Sequence, residues 1–347
     1  MKILALLVAV CVPGVSSCYV TTQGIAQLKL LNSRKDIDQV INDDSVDDKT
    51  KKKLKFTKLT LEFAKEQELE VGDSYSKFVS LEGPAVSYLV QASKPTEFKL
   101  KTWWFPVVGS VPYLGFFRES DRSEYERELQ LDGFETSTSF ATAFSGLGWF
   151  SDPIYSTMLA EDDADLAHLY FHELTHKTAW LKGSVELNEN LAEFVGEELT
   201  QKFFEKLGRS QDLEIAKTRR KDRELFKVWL KNLKSSLEDY YKSTKATDSP
   251  EFSVVKKLLI EQHVKNKPAF KVADFVGSKN WNATRVLAAS LYSPDTEAFK
   301  KAYDCAKIEK MGEFAKKIRS SVEQSGTIQA GLASICHEKA LMKGQSL

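Results

Sequence analysis

From Tyr19 to about Leu69 the apolar positions recur at helical spacing. Ile25, Leu28, Leu30 and Leu31 come first; Leu54, Phe56, Leu59, Leu61 and Phe63 follow the Lys51-Lys52-Lys53 run. The lysine run reads as a solvated helix face. Between about Phe78 and Phe117 the texture changes to strand: β-branched and aromatic runs over 86–91, 102–109 and 110–117 are broken by Gly and Pro. A charged surface helix is predicted over Ser120–Leu131, closed by Asp132-Gly133, with a further strand around Ser137–Phe144. This order predicts a small mixed sheet with at least one strand–helix–strand crossover. Beyond Gly148–Pro153 nearly everything reads as helix, near 162–181, 185–207, 211–243, 251–266, 281–291, 295–304, 308–323 and 326–342. Gly208 ends the second of these. Arg219-Arg220-Lys221, interleaved with acids, reads as an ordinary solvated face. The expected architecture is a single α+β body, predominantly helical. N-terminal helices (19–75) and a sheet region (76–150) precede a helical region (151–347).

The first residues have a different character. Lys2 precedes an apolar run that stops at Pro13-Gly14 and ends in the small residues Ser16 and Ser17, the three-part layout of a secretory signal peptide over residues 1–17. The run is too short to span a bilayer comfortably. Val15-Ser-Ser-Cys18 also resembles a bacterial lipobox, which would make Cys18 the lipidated N-terminus of the mature protein. More than one acyl chain is needed for lasting attachment. The expectation is a lipoprotein held to a bacterial membrane through Cys18, its body extracytoplasmic; no later stretch is apolar enough to span. In that setting Cys305 and Cys336 would form one disulfide between C-terminal helices or remain two buried thiols.

Composition removes function classes more than it names one. Lys+Arg and Asp+Glu both number 49 in 347 residues, so the formal net charge is zero, with 28% charged and 42% hydrophobic residues. That excludes a disordered or multi-span membrane chain. It also removes the basic surplus on which broad nucleic-acid binding depends, so no nucleic acid is expected as a partner. Four cysteines are too few for a disulfide scaffold.

The informative stretch is His172-Glu173-Leu174-Thr175-His176. Histidines at i and i+4 lie one turn apart on one helix face, so both imidazoles can reach a single Zn²⁺, and Glu173 can serve as general base. Asp162, Asp163 and Asp165 crowd the start of this helix, where negative charge is favourable. A catalytic zinc keeps three protein ligands and one open position. Asn188-Glu189-Asn190-Leu191-Ala192-Glu193 resembles the third-ligand helix of gluzincins, the His-Glu-x-x-His metallopeptidases with a glutamate ligand. On that resemblance Glu189 is the third ligand. Glu193, one turn on, is placed to accept a hydrogen bond from His172; Glu186 and Glu197 are weaker candidates. The interval from His176 to Glu189 is shorter than in the large gluzincin aminopeptidases, so residues 180–184 must turn tightly. Met158 and Trp180 read as core. His168 reads as the edge of the site or surface.

Several blocks in order resemble the bacterial predicted aminopeptidases with a lipoprotein-type N-terminus. They are Cys18-Tyr19, Gln27-Leu-Lys-Leu-Leu, Lys101-Thr-Trp-Trp-Phe-Pro-Val-Val-Gly109, Tyr113-Leu-Gly-Phe-Phe117, Gly148-Trp-Phe-Ser-Asp-Pro153 with Ser156-Thr-Met, the His172–His176 box and Asn188-Glu189. A fainter likeness covers Asn282-Ala-Thr-Arg-Val-Leu and Tyr292. The resemblance implies a zincin-like (gluzincin) core, a zinc cofactor and aminopeptidase activity on peptides. Glu173 would take a proton from the attacking water and deliver it to the leaving amine. An oxyanion donor among Tyr292, Tyr240, Tyr241 and Arg285 is left open by spacing. Gly146–Phe150 is either a substrate-aligning edge strand or a buried turn. Two other readings stand beside this one: a non-catalytic peptide- or envelope-binding lipoprotein with a structural zinc, and a zinc amidase acting on cell-wall peptides.

Overall fold

The computed structural model describes residues 30, 32–105, 109–142, 152–244, 246–272, 274–277, 279–291 and 296–344, with side chains of the last helix as far as Cys336. The signal segment, Cys18, the 146–150 segment and Tyr292 lie outside the described residues. Within them the fold is mainly helical with small sheets, as the α+β expectation requires. The helices are α1 (Ile37–Asn42), α2 (Asp48–Glu66), α3 (Glu119–Leu131), α4 (Asp163–Thr178), α5 (Val185–Leu207) and α6 (Ser210–Ser243). They continue with α7 (Pro250–Lys265), α8 (Ala283–Ser290), α9 (Glu297–Ala306), α10 (Met311–Ser325) and α11 (Ile328–Gly344). Several starts follow capping chemistry: Asp47, Asp162, Ser249 and Asn282 each accept a backbone N–H of the first turn, and Gly208 closes α5 at φ 65°.

The strands form three small sheets among the described residues, where the sequence suggested one. The first has the order β1 (Lys35–Asp36), β2 (Lys77–Val79), β8 (Ile154–Tyr155); β2 is antiparallel to β1 and parallel to β8. The second has the order β6 (Leu114–Phe116), β3 (Ser87–Ser93), β7 (Glu135–Ala141), and β4 (Trp103–Phe105) pairs with β5 (Gly109–Val111). Because β6 and β7 both run antiparallel to β3, they are parallel to each other, and α3 joins them. That is the expected strand–helix–strand crossover, split by β3. The sheets separate because most strands are only two or three residues long, and Gly83-Pro84 turns the chain between β2 and β3, where proline cannot donate to a ladder.

The largest apolar core gathers α2, α4, α5, α9 and α10, with Phe63, Phe171 and Phe203 in mutual ring contact and Phe194 against Phe299 and Phe314. Smaller cores lie between α6, α7 and α8, around Trp229, Leu233 and Ile260, and between the second sheet and α3, around Val90, Phe116 and Leu129. Burial of these side chains supplies the main drive for assembly. Cys305 and Cys336 form a disulfide joining α9 to α11. Among the described residues no helix is long and apolar enough to cross a membrane.

Candidate metal centre

Two helices build the site. On α4, Leu166, Ala167, Tyr170, Phe171 and Leu174 face the core, leaving His168, His172 and His176 as a stripe one turn apart on another face. Its first turn is fixed by charge: Asp163 accepts from Lys53 of α2 and Arg209, each at 2.7 Å, and Asp165 pairs with Arg219 at 2.9 Å. Its last turns are braced by the 70–75 loop. Thr178 accepts from the Glu70 N–H at 2.8 Å, and Lys177 donates to the Val71 carbonyl at 2.7 Å and the Ser74 hydroxyl at 2.9 Å.

The short turn required between the helices is present, and the Asn-Glu string explains how it is made. Gly183 adopts φ 82°, a left-handed conformation that glycine enters without cost. The buried Asn188 accepts from the Leu181 N–H and donates to the Leu181 carbonyl, both at 2.9 Å, closing the turn on itself. This folds α5 back along α4, so that His176 meets Glu189, His172 meets Glu189 and Glu193, and His168 meets Glu193.

His172, His176 and Glu189 converge, the only such group found among the described residues. The two Nε2 atoms are 3.1 Å apart; Glu189 Oε2 lies 3.6 Å from His172 Nε2 and Oε1 lies 3.5 Å from His176 Nε2. Bonds of about 2.0–2.1 Å to a tetrahedral ion would separate its ligands by about 3.3–3.4 Å. Glu189 offers a different oxygen to each ring, and one ligand atom of each residue lies within 4.8 Å of the others; two imidazoles with a carboxylate are donors suited to zinc. Burial opposes charge on His172, but hydrogen bonding to Glu189 and Glu193 and the Glu173 charge outweigh it and lift the imidazole to about 10. Burial and the His172 charge push His176 down to about 4.

Glu173 is largely buried beside this group. Burial raises its carboxyl above the usual carboxylate range, Asp152 and Glu189 add to this, and His172 opposes it. Tyr75, buried in the loop before β2, holds φ 62°, a rare conformation for a bulky residue. Its N–H donates to the Asp152 carbonyl at 2.7 Å and its ring packs edge-on against Tyr170. Burial first, then the charges of Glu173 and Asp152, raise the Tyr75 phenol well above its ordinary range.

Glu193 lies beside His172, but its Oε2 is 3.6 Å from His172 Nδ1, longer than the expected hydrogen bond, and its Oε1 is 3.5 Å from His168 Nε2. Gly196 makes room for His168: a Cβ there would lie 3.1 Å from its Nε2. His168 is therefore at the edge of the site, not on the surface. Of the weaker acids, Glu186 is exposed, whereas Glu197 is buried and ion-paired to Arg220 and Arg223 at 3.0 and 3.2 Å. The basic cluster on α6 is correspondingly not a free solvated face. Only Lys221 is exposed, because Arg219 reaches the acids of α4 and Arg220 those of α5. Met158 is core, as expected, but Trp180 is 42% exposed and packs edge-on against the His176 ring at 5.4 Å. Tyr240, Tyr241 and Arg285 are committed elsewhere, each donating to a backbone carbonyl, of Phe252, Pro95 and Thr138 respectively.

Paired imidazoles, a carboxylate and an adjacent partly buried glutamate thus share one face of a helical hairpin, a donor set that could hold a divalent ion. Residues 18–327 match the family described as "Putative aminopeptidase", and the chain belongs to that family, which suggests peptide hydrolysis. No curated protein and no solved structure matches the chain.

Proposed function

We propose that the protein is a zinc-dependent aminopeptidase of the gluzincin type, tethered outside the cytoplasm of a bacterial cell by lipid on Cys18. The observation that carries the metal reading is the convergence of His172, His176 and Glu189, one ligand atom of each lying within 4.8 Å of the others. Zinc, when bound there, supplies Lewis acidity that polarises a carbonyl and makes water more acidic. The rest of the chemistry belongs to the chain. Glu173 neighbours the ligands without being one of them; it accepts the proton of the attacking water and returns it to the departing amine. Glu193 Oε2 faces His172 Nδ1 at 3.6 Å, placed to favour the tautomer that leaves Nε2 free for a metal. The exposed Trp180 indole gives the ligand His176 an apolar rim on its open side. Family membership supports peptides as the substrate class.

The test is peptide hydrolysis before and after chelation, read by mass spectrometry on a mixture of peptides. Removal of N-terminal residues that stops on chelation and returns with zinc supports the proposal. Internal cuts would make the enzyme an endopeptidase; zinc bound without hydrolysis would favour the non-catalytic lipoprotein. For the anchor, Cys18→Ala should release the protein from membranes, and continued attachment would refute lipidation there.

A further inference from the structure

Three acids of α5, Glu189, Glu193 and Glu197, follow one another at single-turn intervals, and the first two meet the three histidines of α4. At the open end of this ladder the carboxylate lies between two imidazoles. One turn deeper, His168 Nε2 and Glu193 Oε1 repeat nearly the same separation, 3.5 Å, but a cation from a third helix is already there. Arg223 of α6 places its Nε 3.0 Å from Glu193 Oε1 and 3.2 Å from Glu197 Oε1. Glu197 is held in turn by Arg220 Nε at 3.0 Å, and Arg220 also pairs with Glu198 at 2.8 Å. Glu193 and Glu197 are both nearly buried, so neither carboxylate would keep its charge and place without a partner.

We propose that Arg223 is a positioning residue of the metal centre, a resident cation that fixes the Glu193 carboxylate between His168 and His172 so that its second oxygen faces His172 Nδ1. This rests on the reading of His172, His176 and Glu189 as zinc ligands. Arginine suits the task because its charge is permanent and its planar guanidinium bridges two carboxylates; lysine offers a point charge that serves one of them. Arg220, which touches Glu197 and Glu198 and not Glu193 among the contacts above, removes the same charge from the same cluster when replaced, and so provides the control.

The experiment measures zinc affinity of the full chain by competition with a chromophoric chelator, together with the visible spectrum of the cobalt form. Loss of an outer partner of a metal-binding histidine costs about 10–100-fold in affinity. Arg223→Met should lose affinity on that scale and change the cobalt spectrum, Arg223→Lys should recover much of both, and Arg220→Met should stay within about twofold of wild type. Should Arg223→Met fail to fold, Arg223→Lys decides: affinity between wild type and a tenfold loss supports the assignment, and wild-type affinity and spectrum overturn it. Equal losses for Arg223→Met and Arg220→Met would also overturn it, since charge in the cluster would then matter and Glu193 would not. If the wild-type protein binds no zinc, the metal reading falls and this inference with it; if it binds zinc and Arg223→Met binds equally well, only the inference falls.

Discussion

Asn188 reaches back across the helical hairpin to Leu181, taking its N–H and giving to its carbonyl at 2.9 Å each. The residue that follows is Glu189, so the same side chain that closes the turn sets the start of the ligand-bearing face. The interval between His176 and Glu189 can be short because one carboxamide satisfies both backbone groups that a tight turn would leave unpaired.

Asn188→Ala should therefore act on stability and on the metal together. Each partly buried backbone group left unpaired costs about 1–3 kcal/mol, and the midpoint of denaturant unfolding should fall. Metal affinity should fall in parallel, because Glu189 loses its register against His176. Asn188→Asp, which keeps one of the two bonds, should be intermediate.

The sequence was most informative where one residue type has one job. Helices α4 to α11 lie within a few residues of their expected bounds, because apolar periodicity and capping residues such as Asp162, Ser249 and Gly208 act locally. The histidine pair was legible for the same reason, since a spacing of four on α4 needs no tertiary knowledge; Glu189 came from the resemblance carried by Asn188-Glu189. Other features depend on which helix packs on which. Arg223 lies one turn beyond Arg219 on a helix that reads as solvated, and only the packing of α6 on α5 turns that stripe inward. Trp180 reads as core in the sequence, yet the turn that Asn188 closes presents it at the rim. Tyr75 offered no signal, since its left-handed backbone follows from the braced loop between α2 and β2. The division into small sheets was equally hidden, because two- and three-residue strands carry almost no periodicity.

Gly312 reports on the docking of α10 against the end of α2. Its N–H donates to the Gln67 carbonyl at 2.8 Å, and any side chain there would run into the Glu68 carbonyl, while Glu68 itself holds φ 63°. Gly312→Ala should destabilise the fold by about 1–3 kcal/mol or more through overpacking, whereas Gly133→Ala, with open space around it, should pay only the backbone cost of φ 81°. Thermal unfolding of the two variants side by side checks this.

Asp163 gives the stability a pH dependence of known sign. Burial favours its neutral form, but hydrogen bonds from Lys53 and Arg209 win and hold its carboxyl below the ordinary value of about 3.9. A carboxyl depressed in the folded state contributes stability above its unfolded value and loses it as pH falls through the folded one. Unfolding free energy should thus drop in wild type as acid is added from about pH 5 downward, and the Asp163→Asn variant should start lower and show a flatter slope over that range.

The Cys305–Cys336 link spans 31 residues between α9 and α11. Peptide mapping of unreduced protein should recover the two cysteines in one linked species, and Cys305→Ser should lower the unfolding free energy by about 2–4 kcal/mol. Separate peptides from unreduced protein would contradict the pairing.

The most direct measurement is the Glu173→Gln variant, assayed for zinc content and for peptide hydrolysis beside the wild type. Glu173 neighbours His172 but is not one of the three converging ligands, so the variant should keep about one zinc per chain and lose activity by about 100-fold or more. Wild-type protein that binds no zinc, or a variant that hydrolyses peptides at the wild-type rate, would contradict the account.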